Sequence, residues 1–250
     1  MSLSKNKIRY ITSLKEKKFR IQHQTFVAEG SKLISDLLPN MKCQLLVISE
    51  NTIETLVGPD IEELIITSPS EIRKASHLAS PPDAIAVFYQ SHNDYSKIKS
   101  NNNLNLILDG IQDPGNLGTI IRIADWFGIE NIFCSNDTVD VYNTKTVQAT
   151  MGALSRVKIY YLNISDIITQ LPNFSVYGTF LDGENIYQQP LSSEGFIVMG
   201  NEGKGIRPQI EKLITDRLYI PNFSNNSTTS ESLNVAVATA VVCSEFRRRG

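Results

Sequence analysis

The chain has 250 residues, 41% of them hydrophobic and 20% charged, with a formal net charge of −2. This length allows one large or two small domains of a globular protein, and the near balance of charge excludes a global pull toward nucleic acid. No run of about 18 apolar residues occurs, so no membrane span is expected; Cys43, Cys134 and Cys243 are too few and scattered for a disulfide framework or a Cys-rich zinc site, which points to a reducing cytoplasm.

The N-terminal Met1-Ser-Leu-Ser-Lys-Asn-Lys7 lacks the apolar core of a secretory signal. Residues 4 to 19 have the period of one basic amphipathic helix, with Ile8, Ile11 and Leu14 inward. Lys15, Lys17, Lys18 and Arg20 belong to a basic stretch that is balanced only by Glu16 and Glu29. It is either a solvated helix face or a surface that contacts RNA phosphates, since Lys and Arg supply most sequence-independent nucleic-acid affinity. Strands are expected at Thr25–Glu29, Gln44–Ser49, Glu63–Thr67 and Ala84–Tyr89. Helices are expected at Gly30–Leu38, Thr52–Val57 and Ser70–Ser76. This alternation reads as a small α/β module over residues 1–92. The polar, Asn-rich stretch 93–103 reads as a linker, which leaves 104–250 as a second domain.

The second domain opens with the apolar strand Leu104–Asp109, then a loop through Pro114-Gly-Asn-Leu-Gly118, then a helix from Thr119 to Phe127. In that reading Asn116 lies in the loop and Arg122 about one turn into the helix, both facing the cleft beyond the sheet. The plainer alternative is that Asn116 caps the helix and Arg122 pairs with Asp109 or Asp125. Further strands are expected at 131–134, 157–161 and 176–180, with helices at 144–151 and 165–170. The alternation implies an α/β fold around a largely parallel sheet.

Near the end of the chain, Phe196–Met199 is an apolar strand running into the loop Gly200-Asn-Glu-Gly-Lys-Gly205. Leu218–Ile220 is a short strand stopped by Pro221. Asn222 to Glu231 has loop chemistry. The Ala-rich segment from Ser232 reads as a helix, capped by Ser230 or Ser232, with Arg247, Arg248 and Arg249 suiting its C-terminal dipole. Loop amides, the Glu202 carboxylate and the Ser232/Asn234 pair thus converge on strand carboxyl ends, the make-up of a ligand site. The spacing of neither a P-loop nor GxGxxG is present.

Taken in order, Asn-x-Gly-x-x-x-Arg-x-Ala at 116–124, Gly-Asn-Glu-Gly-x-Gly at 200–205, Ile-Pro at 220–221 and Ser-Leu-Asn-Val-x-Val-Ala at 232–238 are specific. They resemble motifs 1, 2 and 3 of the SpoU (TrmH-like) RNA 2′-O-ribose methyltransferases of the SPOUT superfamily, over about 104 to 247. Phe26-Val-Ala-Glu-Gly30 and Ile85-Ala-Val87 resemble the ribosomal-protein-like RNA-binding domain often fused to them, although Ala84 stands where that family often has Gly.

The resemblance implies a C-terminal domain closed by a deep trefoil knot, a homodimer formed through it, and S-adenosylmethionine as cofactor. It assigns Thr179, Phe180, Gly200, Asn201, Ile220, Ser230 and Leu233 to the cofactor pocket. It assigns Arg122, Asn116, Glu202, Ser232 and Asn234 to the reacting site. A guanidinium holds its proton firmly, so Arg122 is expected to anchor phosphate and stabilise a developing alkoxide rather than act as a base. Glu202 is expected to orient Arg122 or Asn116. The implied substrate is RNA, ribosomal ahead of transfer RNA, with no metal and no membrane; DNA lacks the hydroxyl that is methylated. The alternatives are a transfer-RNA 2′-O-methyltransferase and a non-catalytic RNA-binding dimer of the same fold.

Overall fold

Apolar runs bounded by Gly, Pro and Asn become strands throughout the chain. The computed structural model describes residues 2–56, 60–80, 82–94, 103–224 and 231–249, without the side chains of 53–55 and 249. They form two compact units, Met1–His92 with Asp140–Arg156, and Asn93–Val139 with Val157–Gly250. Most of the expected linker, 95–102, lies outside the described residues.

The first unit holds strands β1 (Thr25–Glu29), β2 (Cys43–Ile48), β3 (Leu64–Ile66) and β4 (Ala84–Tyr89) in the order β1-β4-β2-β3. β4 is antiparallel to both β1 and β2, and β2 runs parallel to β3. Side chains alternate between the faces. Val27, Leu45, Val47, Ile85 and Val87 meet Ile11 and Leu14 from the N-terminal helical region and Ile72 and Ala75 from helix α4 (Pro69–Ala75). On β1 and β4, Phe26 stacks on Phe88, with Tyr142 against Phe26. Covering both faces explains why β1 is buried at every position rather than at alternate ones. Each large apolar side chain so buried contributes roughly 1.5–3 kcal/mol. The second-half segment Asp140–Arg156, with helix α6 (Thr144–Thr150), groups with this unit.

The expected single basic helix is two, α1 (Lys5–Ser13) and α2 (Lys17–His23). No Pro or Gly marks the break. Its cause is Arg20, whose guanidinium donates to the Leu14 and Lys15 carbonyls at 2.8 and 2.7 Å and so takes up groups orphaned at the end of α1. The same guanidinium donates from Nε and Nη2 to Asp140 at 3.1 and 2.6 Å. Arg20 is 2% exposed. It therefore does not join Lys15, Lys17 and Lys18, which are exposed, as an RNA-facing group.

The second unit is built on β5 (Leu104–Asp109), β6 (Asn131–Ser135), β7 (Lys158–Leu162), β8 (Val176–Asn185), β9 (Gly195–Gly200) and β10 (Asp216–Tyr219). Their order is β10-β8-β9-β5-β6-β7, with every pairing parallel. The central strand β5 is buried at every position, the near-continuous apolar pattern of a sheet covered on both sides. Phe133, Phe196, Val198 and Ile107 form its core with Ile164, Ile167 and Ile168 of α7 (Ile164–Gln170). A short unexpected helix, α8 (Pro208–Glu211), follows β9.

Two helix starts differ from expectation. Helix α5 runs Pro114–Trp126 and begins before Gly118, because the Asp113 side chain accepts the Asn116 N–H at 2.8 Å and Pro114 suits the first helical position. Asn116 is thus in the first helical turn, not in a loop. Helix α9 spans Val235–Arg249. Its cap is Asn234, whose Oδ1 accepts from Ala236 and Val237 N–H at 2.9 and 3.3 Å. Ser232 is exposed and makes no hydrogen bond among the described residues, and Ser230 lies outside them. Arg247 serves another helix, donating to the Phe127 and Gly128 carbonyls that end α5.

Candidate active site

β5 and β9 are parallel neighbours, with Asp109 opposite Gly200. From β5 the chain goes on to β6 on one side; from β9 it goes on to β10, beyond β8 on the other. The two exits diverge, which opens a crevice at the carboxyl ends where α/β proteins bind ligands.

The loop after β9 is tightly folded. A Cβ on Gly200 would come 2.4 Å from both the Gly205 carbonyl carbon and the Ile206 nitrogen, so only glycine fits. The Asn201 and Gly205 backbones exchange hydrogen bonds at 3.0 and 2.9 Å. The Asn201 side chain accepts from the Gly203 and Lys204 N–H groups, both at 3.0 Å, and donates to the Gly110 carbonyl at 2.7 Å. Asn201, expected at the cofactor, spends its side chain on shaping the loop.

Glu202 is thereby aimed at the start of α5. Its Oε1 accepts from Asn116 Nδ2 at 3.0 Å and Asp113 N–H at 3.4 Å; its Oε2 accepts from Gln112 N–H at 3.3 Å and Asn201 Nδ2 at 3.5 Å. A helix N-terminus also favours negative charge. Glu202 is exposed, so each bond is worth about 1 kcal/mol or less, not the ~1.5–3 of a buried charged one. A carboxylate has about four acceptor positions, and here four donors face it. This makes Glu202 an orienting group.

Asn116 continues the network. Its Oδ1 accepts from Asn234 Nδ2 at 2.9 Å. The direction of every bond is fixed from both ends: the α9 amides can only donate and the carboxylate can only accept. Both asparagines must therefore point Nδ2 toward Glu202 and Oδ1 toward α9. Each keeps a second N–H, so the network offers donors to an incoming oxygen. It joins residues of all three motif blocks.

Arg122 is not in this network. It is exposed on α5, and its side chain makes no hydrogen bond or ion pair among the described residues. Six residues along a helix is about 9 Å and a third of a turn from Asn116, so the two do not share a face. Asp109, the partner considered for Arg122, is bound by Arg207. Sequence reasoning missed Arg207 altogether: a lone basic residue after a glycine loop carries no signal, and its partner is 98 residues away.

The residues expected at the cofactor lie at the ends of neighbouring strands. Thr179 donates to the Val198 carbonyl of β9 at 3.3 Å. Thr179 to Gly183 bulge out of β8, since Arg217 pairs with Gly178 and Leu218 with Glu184. The Phe180 ring is covered by the Arg217 guanidinium at 3.6 Å. Ile220 follows β10 half-buried, and Leu233 is 51% exposed. No group of His, Cys, Asp or Glu suited to a metal occurs among the described residues. No helix among them is long and apolar enough to cross a membrane.

Residues 103–244 match the SpoU rRNA Methylase family, and residues 5–86 match the MRM3-like substrate binding domain. The chain is 30% identical to the 23S rRNA (guanosine(2553)-2′-O)-methyltransferase RlmP of Bacillus subtilis, over 98% of each chain. Among solved structures, a putative RNA methyltransferase of the TrmH family from Porphyromonas gingivalis superposes with a TM-score of 0.89 at 39% identity, covering 100% of both chains. An AdoMet-bound rRNA methyltransferase from Sinorhizobium meliloti gives a TM-score of 0.86 at 29% identity, covering 100% of this chain and 97% of that one. On these matches and on the strand-end site, the chain belongs to the SpoU rRNA methylase family.

Proposed function

We propose that this protein transfers a methyl group from S-adenosylmethionine to a ribose 2′-hydroxyl of ribosomal RNA. The observation that carries this reading is the hydrogen-bonded series Glu202, Asn116, Asn234, which draws three distant motif blocks together at the ends of β5 and β9. Names of relatives such as RlmP favour a guanosine of large-subunit rRNA.

The residues suit the cofactor. Ile220 and Leu233 offer apolar surface for a base, Phe180 borders it with one ring face covered by Arg217, and the ends of β8 and β9 offer backbone groups for its edges. When bound, S-adenosylmethionine supplies an electrophilic methyl on a sulfonium. The chain's own task is then to place the hydroxyl and hold charge. The spare N–H groups of Asn116 and Asn234 orient the ribose oxygen as negative charge develops on it. Glu202 fixes both amides in that sense. Arg122 anchors the neighbouring phosphate.

A trefoil knot accounts for the end of the chain. β10 lies at the sheet edge, while α9 packs on α5 and β9 near its middle, which supports this reading. A homodimer through this unit is supported by Trp126 on α5 and Val237 on α9, which are 85% and 52% exposed. Arg122 is one turn from Trp126 and so borders that face. Residues 1–92 bind the RNA, with Lys15, Lys17 and Lys18 on phosphates, and 93–103 link them to the methyltransferase domain 104–250. The protein acts in the cytoplasm.

The test is transfer of labelled methyl from S-adenosylmethionine to rRNA lacking the modification, with the product mapped. A methyl on a ribose oxygen is expected. A methyl on a base, or RNA binding without transfer, would refute the proposal.

A further inference from the structure

Asp109 ends β5 with its side chain fully buried. Both its oxygens are committed to one residue. Oδ2 accepts the Arg207 backbone N–H at 2.8 Å, and Oδ1 accepts Arg207 Nε at 2.7 Å and also Nη2. The planar fork of arginine suits this two-point grip and a lysine would not. Asp137 stands 3.5 Å from the same guanidinium but is mostly solvent-exposed, so it adds little.

Arg207 closes the loop that carries Glu202. The other end of that loop is tied by Asn201 to the Gly110 carbonyl. Asp109 and Gly110 are adjacent, so the loop is pinned at both ends to one point of β5. Between the pins, Glu202 is held against Gln112, Asp113 and Asn116. Its own contacts are exposed and individually weak, so they do not suffice to hold the carboxylate in place. The buried grip supplies the rigidity they lack.

We propose that Asp109 and Arg207 are positioning residues for methyl transfer, acting through Glu202. Neither touches substrate. The inference rests on the reading of Glu202 as part of the reacting site. Misplacement of a site group by about 1 Å can cost about 10²-fold in rate, and that is the loss expected in kcat for Arg207→Ala and Arg207→Lys, with cofactor affinity retained.

The experiment measures single-turnover methyl transfer, cofactor affinity by calorimetry and thermal midpoint for Arg207→Ala alone and combined with Glu202→Ala. If Arg207 acts through Glu202, it lowers the rate in the parent and not further in Glu202→Ala. An equal fold-loss in both backgrounds would mean a merely structural role and overturn the proposal, as would a parental rate in Arg207→Ala. Because Arg207→Ala strands a buried carboxylate, the pair Asp109→Asn with Arg207→Gln is measured too. It removes the buried charge, so the thermal midpoint should recover while the rate stays low; a rate that recovers with stability would also overturn the proposal. Glu202→Ala at the parental rate would instead refute the site itself, a different result from an inactive Glu202→Ala beside an active Arg207→Ala.

Discussion

In the first unit Arg20 is buried, bonded to two carbonyls and a carboxylate; in the second, Arg122 is exposed and free of such partners among the described residues. From sequence the expectations run the other way, with Arg20 on the RNA surface and Arg122 inside a polar cluster. The difference lies in what each unit needs. The first must end one helix and start another without Pro or Gly, and a guanidinium with five donors can satisfy several acceptors at once while buried. The neighbouring lysines, strongly hydrated point charges, stay in water. In the second unit the Glu202 carboxylate is met by asparagines and backbone amides, and Asp109 by Arg207, so Arg122 is left for a ligand.

The sharpest way to break this contrast is Arg122→Ala. Loss of the group that anchors the neighbouring phosphate, and so places the ribose, should lower kcat by about 10²-fold, with cofactor affinity unchanged by calorimetry. Full activity would mean that Arg122 is only a surface residue. Next is Arg20→Met, which strands Asp140 and the Leu14 and Lys15 carbonyls. Breaking a buried pair this way costs about 3 kcal/mol, read by denaturant unfolding. Parental stability would show that the guanidinium does not hold the turn.

A smaller effect is expected from Lys15, Lys17 and Lys18 changed together to Glu. Stability should move by less than about 0.5 kcal/mol per site, while the slope of log affinity for RNA against log salt falls by about 2. An unchanged slope would leave these lysines a solvated face. The smallest concerns His77 in the first unit. Burial pushes its imidazole below the ordinary range, opposed by the Glu29 carboxylate 3.5 Å away. The folded state then binds fewer protons than the unfolded chain. Its contribution is present above about pH 6.5 and is lost as pH falls toward the lower native value. His77→Gln should flatten that acid decline in unfolding free energy, and an identical decline would remove His77 from the account.

The strands were legible because each is a short apolar run between turn residues, and the all-parallel second sheet follows from their alternation with helices. Helix starts were less so. Asp113-Pro114 and Asn234 are caps whose letters also spell loops, and only their bonds to Asn116, Ala236 and Val237 distinguish the two. The break between α1 and α2 was invisible, since it depends on a buried Arg20 that bonds the Leu14 and Lys15 carbonyls and whose carboxylate partner, Asp140, is 120 residues away. In the site, Asn116, Glu202 and Asn234 were legible as polar groups converging on strand ends, and the family resemblance added their roles. That they bond in series, and in which direction, depends on strand order and cap geometry. Asp109 and Arg207 meet only because β5 and β9 are neighbours, which no local pattern records.

The most direct test of the strand-end site is Glu202→Gln, which keeps shape but replaces one acceptor oxygen with a donor facing N–H groups. Single-turnover transfer of labelled methyl to unmodified rRNA should slow by about 10²-fold, with S-adenosylmethionine affinity retained. Transfer at the parental rate would contradict the claim that this carboxylate orders the asparagines that place the ribose oxygen.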